Sequence, residues 1–269
     1  MSDERLSTLG GFVRQHDPDR YLCALFAPAA KREALFALAA YNHELARARE
    51  AASQPLLALI RLQWWREVVE NAAVGGPPRQ HEVATPLHAA IADRLLDPDD
   101  LTAMANAREV ETEESIPTAS AFQAYLRGTA GGFAQAAGRL LGARGAYPVA
   151  LQYGGALYGL AGVLRSTAAL ARQGRCLLPE DALAEAGLTP HAVVADPAVA
   201  APVVARLAAE GLAGYQPIAG LPGAAVAAAL PLVLARRDLK RLAAGEPVPA
   251  TRGLWDKLAV TWAGLRGRV

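Results

Sequence analysis

The chain has 269 residues, 52% of them hydrophobic, with 27 basic against 26 acidic side chains and a formal net charge of +1. That is enough apolar material for a substantial core in a single domain over residues 1–269, and too even a charge balance for bulk electrostatic binding of nucleic acid. Two cysteines, Cys23 and Cys176, lie far apart with no paired spacing, so two reduced buried thiols are expected rather than a zinc site or a disulfide framework.

The first residues, MSDERLSTLGGFVRQHDPDRY, lack the basic-then-apolar order and small-residue cleavage site of a secretory leader. Alanine, leucine, arginine and glutamate dominate the rest of the chain, and period-two alternation of β-branched residues is nearly absent, which predicts an all-α protein. Asp17-Pro18 opens a helix over Tyr21 to Phe26, and Pro28 suits the first turn of the next, running to about Ser53. Pro55 opens another through Trp64 and Trp65, ending near Gly75-Gly76-Pro77-Pro78, the clearest surface loop. Further helices are expected over Thr85 to Leu96, Pro98 to Glu114, Ala119 to Leu141, Val149 to Gln173, Pro202 to Ala213, Pro222 to Ala244 and Leu254 to Leu265. Gly174 to Asp196 reads as a mostly irregular connection. Two uncharged stretches, Gly145 to Leu164 and Gly211 to Ala235, have the length of a membrane span. Their prolines and glycines suit buried helices of a soluble all-α protein better.

Two segments carry most of the functional signal. In the first, Leu35, Leu38, Tyr41, Asn42 and Leu45 recur at helical spacing and form a buried face, followed by the charged end Arg47, Arg49 and Glu50. In the second, Gly155, Gly159 and Gly162 place small residues along one side of a helix. Such a stripe permits close helix packing, the default for a filled interior, or leaves room for a ligand.

These segments resemble the squalene/phytoene synthase family. The likeness rests on Tyr21-Leu22-Cys23-Ala24, Pro28, Lys31-Arg32 and the Ala34 to Tyr41 run. It continues in Val163-Leu164-Arg165, Gly174-Arg175 and Leu178-Pro179, spaced without gaps. The resemblance implies the all-α isoprenoid synthase fold, a helical bundle around a central cavity. In that family two aspartate-rich clusters on facing helices hold magnesium against a diphosphate. The matching positions read Ala46, Arg47 and Glu50 in the first cluster and Ser166, Ala169 and Leu170 in the second. Magnesium demands carboxylate oxygens and water in octahedral geometry, so one acid among these positions implies a non-catalytic relative, with no cofactor expected.

The resemblance is nearest to a group without acidic clusters that includes a mitochondrial assembly factor for respiratory complex I, and IRLQWWREVVE in particular is similar to that group. It implies a binder of an isoprenoid-like or lipid ligand, or a partner of a membrane-complex subunit during assembly. The alternative is an active, magnesium-dependent head-to-head prenyl transferase. That reading needs metal ligands from Glu50 and the acidic cluster Glu109, Glu111, Glu113 and Glu114, in which Glu109 and Glu113 stand at i and i+4; the run otherwise reads as a solvated helix end. Arg20, Tyr21, Arg165, Arg172 and Arg175 are the candidate anion or ligand contacts, against plain ion pairing for the arginines.

Other signals are weaker. His43 reads as a surface or core histidine more than a base. Trp64 is expected in the core and Trp65 at its margin, with Arg61 and Arg66 beside them as a docking face. The tail interleaves Arg236, Arg237, Lys240, Arg241, Lys257, Arg266 and Arg268 with Trp255 and Trp262, which suits an anionic membrane surface or a terminal helix packed on the bundle. The expected location is cytoplasmic, at most peripheral to the inner membrane.

Overall fold

The computed structural model describes residues 7–52 and 54–269. The readings made on residues 1–6, and the helix end assigned to Ser53, lie outside the described residues. Sixteen α-helices are resolved among them: α1 (Thr8–His16), α2 (Pro18–Ala24), α3 (Ala29–Glu50), α4 (Pro55–Ala73), α5 (Ala84–Ala92), α6 (Pro98–Ala107), α7 (Ala119–Leu126) and α8 (Gly132–Leu140). They continue as α9 (Tyr147–Arg165), α10 (Thr167–Arg172), α11 (Glu180–Ala184), α12 (Pro190–Ala195), α13 (Ala201–Ala213), α14 (Val226–Ala229), α15 (Pro231–Ala243) and α16 (Leu254–Arg266).

Local chemistry places the helix starts. Ser7 accepts from the Gly10 amide at α1, Asp97 from Asp99 at α6, and Thr118 from Ala121 at α7. Asp17 caps α2 by accepting from the Arg20 amide, with Pro18 in the first turn, where its missing N–H costs nothing.

Several expected elements are corrected. The helix begun at Pro98 stops at Ala107 and a 3₁₀ turn, Glu109–Thr112, replaces its last turn. The helix expected from Val149 to Gln173 starts at Tyr147 and breaks at Ser166, whose φ of −92° and ψ of 2° leave the helical region. Pro231, with no N–H to donate, divides α14 from α15 where one helix was expected from Pro222. The supposed irregular connection from Gly174 to Asp196 holds the short helices α11 and α12. α7 and α8 are joined through a π-helical turn, Arg127–Gly131. In α4 the tryptophans exchange roles: Trp65 is buried and Trp64 lies at the margin.

Packing fixes how the helices meet. One apolar cluster forms around Leu38, Tyr41, Leu62 and Leu87 from α3, α4 and α5. A second forms around Phe122, Leu160, Leu207 and Leu239 from α7, α9, α13 and α15. α9 stands between them, giving Leu151 to the first and Leu157 to the second. Its glycines settle one open question. A Cβ on Gly155 would lie 2.5 Å from the Ala130 carbonyl oxygen, and one on Gly159 would lie 2.9 Å from the Ala130 Cβ. Both glycines therefore let α9 close on the π turn, whereas Gly162 faces open space. Both cysteines are buried free thiols. Among the described residues no helix is long and apolar enough to cross a membrane.

Candidate functional site

Asn42 of α3, the 3₁₀ turn after α6, Tyr125 of α7 and the loop after α10 converge on a buried polar cluster. Its anion is Glu111, 4% exposed. Arg108 donates to Glu111 Oε1 at 2.6 Å and to Asn42 Oδ1 at 3.3 Å, and the Tyr125 hydroxyl donates to Glu111 Oε1 at 2.7 Å. Arg175 Nη2 approaches Glu111 Oε2 at 3.7 Å. The 3₁₀ turn causes this arrangement, because leaving the α-helix at Ala107 swings Glu111 inward. Burial raises the pKa of the Tyr125 phenol, and the Glu111 carboxylate adds to that. Burial opposes the charge on Arg108, but Glu111 outweighs it and holds the guanidinium above its ordinary pKa.

A second network lies beside the first. Arg20 pairs with Asp17 at 2.7 Å and lies over the Phe133 ring, 4.1 Å from its centroid, and the Tyr158 ring, 5.1 Å from its centroid. The Tyr158 hydroxyl reaches Asp19 at 3.3 Å. Arg252, from the loop before α16, pairs with Asp19 at 2.8 Å and Asp238 at 2.6 Å, and Arg165 approaches Asp238 at 3.4 Å. Within these two networks Arg20 Nε, Arg108 Nε and Arg175 Nη2 are buried without a hydrogen-bond partner. Under Arg20, between α8, α9 and the start of α15, the cavity measures about 10 Å³. That is room for about one water, so the expected prenyl-sized ligand does not fit at this point of the packing.

The residues singled out from sequence are only partly brought together. Arg20 and Arg165 belong to the second network and Arg175 to the first. Tyr21 instead stacks on Phe36 at the edge of the core, and Arg172 is exposed on α10. Ala46 is half-buried, Arg47 is exposed and 3.7 Å from Glu44, and Glu50 is exposed. Ser166 and Ala169 are half-buried, and Leu170 belongs to the apolar core. Glu109 is drawn to Arg66, and Glu113 is exposed beyond the 3₁₀ turn, so the two do not share an α-helical face.

Sequence reading passed over Asn42, Arg108, Tyr125, Asp19, Asp238 and Arg252 as site residues, and took Glu111 only as one acid of a solvated run. Arg108 and Glu111 carried a signal, an opposite pair at i and i+3. Arg252 carried none, since its partner Asp19 is 233 positions away.

The all-α bundle is the fold class that the resemblance implied. The match to the squalene/phytoene synthase family spans residues 13–258. The chain belongs to that family. Among solved structures it is similar to a dehydrosqualene synthase in complex with ligand, with a TM-score of 0.72 and 14% identity over 96% of this chain and 94% of that one. It is also similar to the squalene synthase HpnC from Alicyclobacillus acidocaldarius, with a TM-score of 0.63 and 17% identity over 96% and 92% of the two chains. At these identities the likeness establishes the fold alone.

Among curated relatives, NADH dehydrogenase (ubiquinone) complex I, assembly factor 6 of Homo sapiens is 40% identical over 68 residues, 25% of this chain and 20% of that protein. The Mus musculus protein of the same name is 27% identical over 179 residues, 66% of this chain and 54% of that one. The chain therefore spans about a fifth to about half of the length of these relatives.

Proposed function

We propose that this chain is a non-catalytic member of the family that acts as an assembly factor for a respiratory membrane complex. Glu111 carries the reading. Its carboxylate sits in the buried polar cluster, already bonded to Arg108 and Tyr125 with Arg175 nearby. Magnesium needs several free carboxylate oxygens. At the matching positions Ala46, Ser166, Ala169 and Leu170 offer none, and the Glu50 side chain is exposed at the helix end. The donor set does not suit the ion.

The assembly role is supported by the likeness to relatives named as complex I assembly factors. A surface suited to membrane contact accompanies it. On α16, Leu254, Trp255, Leu258, Trp262 and Leu265 are all exposed, beside Lys257, Arg266 and Arg268. Exposed tryptophan and leucine with flanking bases suit the interface of an anionic bilayer.

Two measurements test the proposal. Farnesyl diphosphate incubated with the protein and magnesium is expected to release no diphosphate; metal-dependent release overturns the non-catalytic half. Cells lacking the protein are expected to assemble less respiratory NADH dehydrogenase on native gels, restored by the wild-type chain. Unchanged assembly overturns the other half.

A further inference from the structure

α16 turns its largest apolar side chains away from the bundle. Trp255, Leu258, Trp262 and Leu265 recur at helical spacing and are exposed. Its inner side holds the bundle with less: Val260 enters a third apolar cluster with Cys23, Val226, Leu230 and Leu234, and buried Asp256 accepts from Arg237 at 2.6 Å. A Cβ on Gly264 would lie 2.5 Å from Phe26 Cδ1, so the C-terminal half of α16 lies against the turn between α2 and α3. That turn exposes Leu25, the residue next to Phe26, at 41%. Arg32 fixes the turn by donating to the Leu25 and Ala27 carbonyls, each at 3.0 Å. Leu25 is therefore presented by a pinned turn rather than by a loose loop.

Resting on the membrane contact proposed above for α16, we infer that this turn and α16 form one surface that docks on an anionic phospholipid bilayer, with Leu25 as a second point of insertion. Charge selects the occupant. Lys257, Arg266 and Arg268 flank the apolar stripe, and Lys31 and Arg32 follow the turn. Against these five bases, the acid of α16, Asp256, is buried on Arg237, and Glu33 is the exposed acid next to the turn in the chain. Bases at an anionic bilayer add attraction, while tryptophan and leucine enter its interfacial layer without matched pockets. A second copy of the chain would bring the same bases together with no exposed acid of α16 to answer them. A protein partner would need a separate pocket for each tryptophan.

The test is sedimentation of the full chain with vesicles of equal parts phosphatidylcholine and phosphatidylglycerol, against phosphatidylcholine alone. Binding to the anionic vesicles is expected, falling as salt rises from about 0.1 M to about 0.5 M. Leu25→Ser is expected to lower the partition coefficient about fivefold, the loss of one inserted leucine. Val74→Ser, which removes an 84% exposed valine after α4, is expected to leave it unchanged. Circular dichroism and thermal melting establish that the variants fold. Lys31→Glu, expected to weaken binding by a similar factor, serves if Leu25→Ser does not fold. A wild-type chain that ignores anionic vesicles overturns the inference, and a protein partner as the true occupant of the surface is counted in that outcome. Equal binding of Leu25→Ser and wild type overturns it even where loss of Trp255 and Trp262 weakens binding. So do equal losses in Leu25→Ser and Val74→Ser. A dimer in sedimentation velocity that the double change Trp255→Ala and Trp262→Ala dissolves would give the surface to a second copy, and also overturns it. Vesicle binding is read apart from complex assembly in cells, so a chain that binds vesicles without supporting assembly keeps this surface and loses the assembly role.

Discussion

Arg252 and Asp19 stand 233 residues apart in the chain and 2.8 Å apart in the fold. The guanidinium closes the loop before α16 onto α2 and holds Asp238 of α15 with its other end, at 2.6 Å. Asp238 is 1% exposed and Asp19 is 8% exposed, so neither carboxylate has water to fall back on. One side chain therefore locks the two ends of the family fold together.

Arg252→Met is expected to destabilise the protein by about 3 kcal/mol or more, because two buried carboxylates lose their shared partner. Arg47→Met, whose side chain is 50% exposed in its pair with Glu44, is expected to change stability by less than about 0.5 kcal/mol. Chemical denaturation of both variants gives the comparison; equal losses would mean that Arg252 is solvated in solution.

Glu111→Gln leaves Arg108 and Arg175 facing each other without their anion. The expected loss is about 2–3 kcal/mol, since a charged hydrogen-bonded partner is removed from a buried site. A double-mutant cycle with Tyr125→Phe is expected to give a coupling of about 1 kcal/mol, reflecting their 2.7 Å bond. A coupling near zero would contradict the bond.

An acid at Leu170, a position proposed to match the family's second cluster, is expected to fail for a packing reason. Leu170 lies in the second core cluster, 9% exposed. Leu170→Asp is expected to cost about 3 kcal/mol through lost burial and a desolvated carboxylate. The melting temperature of this variant, with and without magnesium, checks it. A stable variant that magnesium stabilises further would show a cation site within reach.

His43 gives a pH dependence. Burial, then the neighbouring His16 and Arg47, push its pKa down to about 4. Its Nε2 is buried without a partner, and the His16 ring lies 4.7 Å from its own. The unfolded chain titrates near 6.5, so between about pH 6.5 and about pH 4 the unfolded state binds more protons. The contribution of neutral His43 is fully present above that window and is lost as pH falls through it. His43→Gln is expected to lose less stability than wild type between about pH 7 and about pH 5, read from denaturation midpoints. Parallel curves would assign the acid sensitivity to other groups.

The surface of α16 predicts a separable defect. Replacing Trp255 and Trp262, 75% and 58% exposed, with alanine is expected to leave the melting temperature nearly unchanged. The same change is expected to lower co-sedimentation with vesicles rich in anionic phospholipid several-fold. Equal sedimentation of wild type and variant would remove α16 as a membrane contact.

The sequence by itself determined the helical class, the family and most helix starts, because these depend on local features. Asp17-Pro18 and Asp97-Pro98 announce caps within one turn, and Tyr41 sits on a periodic apolar stripe. The polar chemistry at the centre of the bundle was decided only by tertiary structure. Ser166 ends α9 and Ala107 ends α6 earlier than periodicity implied, and the second break carries Glu111 inward to the arginines. Gly155 and Gly162 look alike in the chain, yet one is crowded by Ala130 and Ala134 while the other faces open space. Arg252 reads as an ordinary loop arginine until the fold brings Asp19 to it. The physical reason is common to all three: burial and charge pairing depend on neighbours distant in the chain, which helical periodicity does not encode.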